Sequence, residues 1–297
     1  MEVEIERIPT GVSKLDELLC GGIPRGFFVA VTGPPGTGKT VLCIHFIGEG
    51  LKRGEPCIYV TTEESRESIV RQAAQFGMDF GDALEMGNLI VIDALMREGG
   101  DPWTLYTLDV RSLVDKIIEA KKHLGYGHAR LVIDSLSAFW LDKPAVARRD
   151  SYFVKKVLFQ WGFTILAVSQ YAITTSAAFG FGVEHVADGI IRFFRSHRYG
   201  KLRRFLMIEK MRQTPHDTRL WEVEIIDGKG MILKAPTPLR AEDVRLPRHV
   251  MERIAESELY QEIVGEIYGT SATEQPLDAE MRGSGEDIER ENSGRGR

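Results

Sequence analysis

The chain has 297 residues, of which 43% are hydrophobic and 27% charged, and a formal net charge of −5. This composition excludes a collagenous, disulfide-stapled or wholly disordered chain, and the length allows one large domain or two ordinary ones. It has no run of about 18 apolar residues and no apolar signal core near Met1. Cys20, Cys43 and Cys57 have neither the number nor the spacing of bridges or a zinc site, so a reduced, cytoplasmic protein without a membrane span is expected.

In chain order, short apolar runs alternate with helical stretches. Phe27–Thr32 reads as a buried strand, and the stretch from Thr40 to Gly50 as a helix. Cys57–Thr62 is a second strand, followed by a helix from Glu64 to Phe76 that stops at Gly77. Leu89–Ala94 is a third strand. A long amphipathic helix spans Leu105 to Leu124 and closes at Gly125. Leu131–Asp134 is a fourth strand, residues 150–161 a helix, and Thr164–Ser169 a fifth strand. Such alternation implies a mainly parallel sheet with helices on both faces. The rhythm then changes. Gly189–Arg195, Leu202–Lys210, Trp221–Ile226 and Met231–Leu233 are β-rich runs joined by short turns, and they predict an antiparallel extension of the sheet.

The domain is expected to end near Pro238. Residues 239–268 contain Met251, Ala255, Leu259, Ile263 and Ile267 at four-residue spacing, the pattern of an amphipathic helix. Two readings stay open for this arm: packing on its own domain, or contact with a protein partner. From Gly269 to the end, glycine, serine and charge dominate, and a disordered acidic tail is expected. Residues 240–297 carry 14 acids and 8 bases, so the −5 belongs to this segment and the first 239 residues stand at +1. A globally basic nucleic-acid binder is therefore disfavoured.

Gly33-Pro34-Pro35-Gly36-Thr37-Gly38-Lys39-Thr40 fits the phosphate-loop pattern GxxxxGK[ST] at every required position. The loop follows a predicted strand and opens a predicted helix. Its glycines let successive N–H groups face one concavity, and the helix start, through Val41, adds partial positive charge. In such loops the lysine, here Lys39, reaches the β- and γ-phosphates, and the hydroxyl, here Thr40, coordinates Mg²⁺. Asparagine occurs only at 88 and 292, and no NKxD motif exists, which favours ATP over GTP.

A magnesium–nucleotide site also needs an acid at the end of a hydrophobic strand. Asp134 ends one such run and Asp93 another, and pattern alone leaves both open. Hydrolysis needs a base to deprotonate water. The Glu63-Glu64 pair past the second strand offers one, although acids at a helix start also complement its dipole.

Taken together, these motifs resemble the KaiC-like branch of the RecA-like ATPases, which includes circadian-clock proteins and single-domain archaeal relatives. The similarity spans roughly residues 5–235. It includes Ile8-Pro9-Thr10-Gly11, Leu15-Asp16-Glu17-Leu18-Leu19, Gly21–Gly26, Thr62–Ser65, Val132–Ser135, Val168-Ser169-Gln170, Glu184–Gly189 and Glu209–Arg212. The resemblance implies an α/β three-layer RecA-like sandwich and selects Asp134 over Asp93 as the magnesium-side acid. It makes Glu63 and Glu64 the catalytic pair and Gln170 the γ-phosphate sensor. It further implies a homo-oligomeric ring, usually a hexamer, with ATP between subunits and Lys210 and Arg212 acting on the neighbour's phosphates. Their i, i+2 spacing on a strand agrees with a shared direction. The clock protein has two tandem domains and this chain has one phosphate loop, so autokinase activity does not carry over.

Residues 192–212 interleave Arg192, Arg195, Arg198, Lys201, Arg203, Arg204, Lys210 and Arg212 with Phe193, Phe194, Tyr199 and Phe205. A single DNA strand could track such a surface, as in recombinases of the wider superfamily, with Phe179 and Phe181 as further stackers. The favoured reading is a contact between subunits, because the body is near neutral.

Overall fold

The computed structural model describes residues 5–95, 101–140, 146–170, 183–198 and 200–238. The stretch that holds Phe179 and Phe181 lies outside these residues. So do the arm at 239–268 and the tail.

Among the described residues, nine strands form one sheet. In chain order they are β3 (Phe28–Gly33), β4 (Cys57–Thr61), β5 (Leu89–Asp93), β6 (Ala129–Asp134), β7 (Phe163–Gln170), β8 (Gly189–Arg198), β9 (Lys201–Met211), β10 (Leu220–Ile226) and β11 (Gly230–Thr237). Their spatial order is β11-β10-β9-β8-β3-β7-β6-β4-β5. The strands from β8 to β5 pair in parallel, and β8-β9-β10-β11 continue antiparallel. A two-stranded sheet of β1 (Arg7–Ile8) and β2 (Ile23–Pro24) stands apart.

Helices cover both faces. On one side lie α1 (Ser13–Leu18), α2 (Lys39–Lys52), α3 (Arg66–Gln75) and α4 (Phe80–Glu85); on the other lie α5 (Val110–Leu124), α6 (Ala147–Leu158) and α7 (Val183–Val186). The pleat sorts the core. Val29, Val31, Tyr59, Val132 and Val168 join the α2 side, whereas Phe28, Ala30, Ile58, Val60, Ile133 and Ala167 join the α5–α6 side. Every residue of β3 is buried, as a strand covered on both faces requires. The result is the three-layer α/β sandwich with an antiparallel extension.

Several boundaries differ from the sequence reading. The helix expected from Leu105 begins at Val110, because Asp109 caps it by accepting from the Arg111 and Ser112 amides at 3.1 and 2.9 Å. Upstream, Thr104 bridges Asp93 and the Leu105 amide donates to Asp93 O, so that stretch is extended. The helix expected at 150–161 begins at Ala147 and tightens into a 3₁₀ turn at Phe159–Trp161. Helices α1, α4 and α7 were too short to leave a periodic signal. Asp16 secures α1 by accepting from the Thr10 amide and hydroxyl at 2.6 and 2.7 Å.

Candidate nucleotide site

The phosphate loop sits where β3 ends and α2 begins. Gly33 has φ +142°, and a Cβ there would meet Phe193 O at 2.5 Å, so only glycine fits against β8. Gly38 is left-handed at φ +105° and caps α2, and the Leu42 amide makes the first helical bond to its carbonyl at 3.0 Å. The amides of Lys39, Thr40 and Val41 thus have no partner inside the helix and are available to an anion. The Val41 side chain is buried in the core, leaving its amide as the contribution to the site.

The loop is held closed by its own side chains. Lys39 Nζ donates to Pro34 O at 2.9 Å and the Thr37 hydroxyl to the same oxygen at 2.8 Å. Lys39 is buried, and that burial lowers its pKa against the opposing pull of Asp134 and Glu63. Two arginines of the β8–β9 hairpin also reach the loop. Arg195 Nη1 donates to Pro35 O at 3.1 Å and Arg204 Nε to Gly36 O at 2.9 Å. They are direct cross-strand partners. The sequence flagged this hairpin as basic but gave no sign that it folds over its own chain's loop.

Asp134 ends β6 at the same edge. Its Oδ2 accepts from the Thr40 hydroxyl at 2.8 Å and from the Tyr59 hydroxyl at 2.9 Å. Burial pushes its carboxyl up to about 6; the two hydrogen bonds pull it down, and nearby Glu63 adds to the rise. A hydroxyl and a carboxylate in contact beside a phosphate loop are a hard-oxygen pair that fits Mg²⁺, which keeps waters and phosphate oxygens as its other ligands. Among the described residues no cluster of three His, Cys, Asp or Glu side chains could cage a metal, and such a site does not need one. Asp93 is placed elsewhere. It accepts from the Arg66 amide at 2.9 Å and the Leu95 amide at 2.8 Å on the edge strand, anchoring the start of α3.

The two glutamates diverge. Glu63 Oε1 accepts from the Ser135 hydroxyl at 2.9 Å, and its Oε2 accepts from Gln170 Nε2 at 2.5 Å. Glu64 turns the other way, accepting from the Ser68 hydroxyl at 2.6 Å and from Gln72 on α3. Gln170 ends β7, directly beside Gly33 of β3 in register, and its amide donates to Ser137 Oγ at 3.1 Å. Lys39, Thr40, Glu63, Asp134 and Gln170 therefore meet at the carboxyl edge of the parallel strands, where α/β sheets place ligands. Ser137 and Tyr59 were missed by sequence reasoning, and Ser135 was noted only as part of the strand-end motif, without a role. Ser135 follows Asp134 directly and Ser137 lies three positions after it, and Tyr59 precedes Thr61 by two on β4, so both signals were present in the pattern.

Lys210 and Arg212 lie at the other edge. Lys210 Nζ donates to Ala187 O at 2.7 Å, and Arg212 Nη1 to Asp188 Oδ1 at 3.1 Å. The Asp188 amide donates to Phe28 O at the start of β3. The length of β3, about 16 Å, separates them from their own loop. The hairpin aromatics are mostly structural: Phe193 and Phe205 are in the core, and Arg198 stacks over the Phe205 ring at 4.5 Å. Tyr199, Phe179 and Phe181 lie outside the described residues. Among the described residues no helix is long and apolar enough to cross a membrane.

A phosphate loop on a buried parallel strand, with a strand-end aspartate against the loop's threonine, defines an ATP-binding protein of the RecA type. The comparisons with known proteins agree. The family model described as "ATPase: KaiC" matches residues 8–237, and the chain belongs to that family. A UPF0273 protein of Aeropyrum pernix is 38% identical over 235 residues, covering 77% of this chain and 94% of its own. A UPF0273 protein of Thermotoga maritima is 37% identical over 235 residues, covering 77% and 96%. Among solved structures, the KaiC-like protein PH0186 of Pyrococcus horikoshii superposes with a TM-score of 0.67 at 28% identity. That match covers 78% of this chain and all of the other.

Proposed function

We propose that this protein is a Mg²⁺-dependent ATPase that works as a homo-oligomeric ring, a hexamer, with ATP at each subunit interface and a regulatory role in the cytoplasm. The observation that carries the reading is the Thr40–Asp134 contact beside the buried Lys39. In this reading the loop amides and Lys39 hold the β- and γ-phosphates. Thr40 and Asp134 hold Mg²⁺, which supplies charge neutralisation on the phosphates. Glu63 orients the attacking water and takes its proton, and Gln170 and Ser135 fix the carboxylate for that task. Gln170 senses the γ-phosphate in this reading, supported by its contact with Glu63 and its register beside Gly33. Glu64 fixes the start of α3, a supporting part of the same site.

Lys210 and Arg212 act on the neighbouring subunit's phosphates. Support comes from their position at the far edge from their own loop and from the exposure of Arg212, whose side chain is 59% accessible. Such cationic fingers contribute about 10³–10⁵ in rate. The recombinase-like reading draws less support, since the hairpin arginines Arg195 and Arg204 are engaged with the loop, and Phe193 and Phe205 with the core. Residues 240–297 remain the proposed contact for a protein partner.

The test is phosphate release by the full chain, by Lys39→Ala, by Arg212→Ala, and by mixtures of the two variants. Each variant alone should be inactive, and mixtures should regain part of the activity, because an intact loop then meets an intact finger. Wild-type turnover by Lys39→Ala would refute the site, and the absence of recovery at every mixing ratio would refute action between subunits.

A further inference from the structure

A second cleft lies at the amino edge of the parallel strands, remote from the phosphate loop. It has a volume of about 550 Å³, within the range of small-molecule sites, and is bounded by the last turn of α5, the starts of β6 and β7, and Arg25. Its chemistry is one-sided. Arg25, Lys121 and Lys122 line it, and among the described residues no acidic side chain does. Trp161 and the fully exposed Tyr126 supply aromatic faces, with Lys122 Nζ 5.8 Å from the Trp161 ring.

Lys121 is the informative residue. It is only 3% exposed, yet its ammonium has one oxygen acceptor among the described residues, Gly125 O at 2.6 Å, and lies 6.0 Å from the Phe163 ring. An ammonium carries three donors. A lysine that merely caps a helix C-terminus satisfies a carbonyl from solvent and has no need of burial. Burial lowers the Lys121 pKa. The nearby acids are committed elsewhere: Glu6 to Arg25 at 2.7 Å, and Glu55 to Arg130 at 2.8 Å. An anion entering the cleft would complete the coordination of Lys121 and meet Lys122 beside it, while a ring on the same molecule would find Trp161 or Tyr126.

We propose that this cleft is a second ligand site, distinct from the phosphate loop, for an anionic molecule of nucleotide size that carries a planar ring. Lys121 and Lys122 bind its phosphate or carboxylate, and Trp161 and Tyr126 stack on its ring.

The experiment is calorimetric titration of the full chain carrying Lys39→Ala, which disables the phosphate loop, with AMP, adenosine and inorganic phosphate in separate arms. One AMP per chain should bind, and adenosine and phosphate should each bind at least about tenfold more weakly. Adding Lys121→Met, or the exposed substitution Tyr126→Ser, which cannot disturb the core, should weaken AMP by about tenfold. Absence of saturable AMP binding, affinity unchanged in both variants, or adenosine or phosphate binding as tightly as AMP would overturn the proposal.

Discussion

The Thr40 hydroxyl donates to the Asp134 carboxylate at 2.8 Å although 94 residues separate them in the chain. The contact exists because β3 and β6 run parallel with only β7 between them, so their carboxyl ends share one edge. The loop turns the start of α2 toward that edge, and a buried carboxylate meets a buried helix start. The Tyr59 hydroxyl, on the adjacent β4, closes the same oxygen from the third side.

The divergence of the two glutamates gives an unequal pair of variants. Glu63 faces Lys39 and Gln170, so Glu63→Gln should lower phosphate release by about 10²–10⁴ while ATP binding is kept. Glu64 is bound to α3, so Glu64→Gln should lower turnover by less than about tenfold on the same scale. Steady-state phosphate release alongside equilibrium ATP binding separates these outcomes; equal losses would show that the pair acts as a unit.

Arg195 and Arg204 stand directly opposite each other on β8 and β9, an arrangement that repels unless something anionic or polar lies before it. Both donate to loop carbonyls. Replacing either by alanine should weaken ATP binding by about two- to fivefold, the range of an exposed charge, with a smaller effect at high salt. Titration of labelled ATP at two ionic strengths measures this.

Arg130 is fully buried, with Nε to Glu55 at 2.8 Å, Nη1 to Pro9 O at 2.5 Å and to Phe46 O at 2.9 Å, and its guanidinium over the Phe46 ring at 4.7 Å. It ties β6, α2 and the amino-terminal segment together. Arg130→Ala leaves those acceptors and Glu55 without their partner, and should cost about 3–5 kcal/mol in urea unfolding. Arg130→Met, which fills the space, should cost less.

Burial lowers the His128 pKa from 6.5 to about 4, despite the opposing pull of Glu55 3.7 Å away. Between pH 6.5 and 4 the unfolded chain takes up a proton that the folded chain refuses. Stability is therefore present above 6.5 and declines as pH falls through that window, levelling below 4. His128→Gln should flatten this part of the profile of melting temperature against pH, and an unchanged slope would assign it to other groups.

The buried strands and the phosphate loop were legible in the sequence because burial on both faces produces continuous apolar runs, and a phosphate cradle needs glycine at fixed offsets. Asp134 and Asp93 looked alike because both end an apolar strand. What distinguishes them is sheet order, which brings Asp134 near the loop and places Asp93 on the edge strand, and order is a long-range property. The contacts of Arg195 and Arg204 with the loop were illegible for the same reason: they depend on how β8 and β9 add to the sheet beside β3. The start of α5 was misplaced because amphipathic spacing continues into Thr104 and Leu105, where pairing with Asp93 wins over helix formation.

The most direct measurement of the central claim is steady-state phosphate release from ATP, with and without Mg²⁺, by the full chain and by Asp134→Asn. The geometry predicts release that requires Mg²⁺ and falls by at least about 10² when the carboxylate becomes an amide. Equal release after chelation of Mg²⁺, or wild-type release by Asp134→Asn, would contradict it.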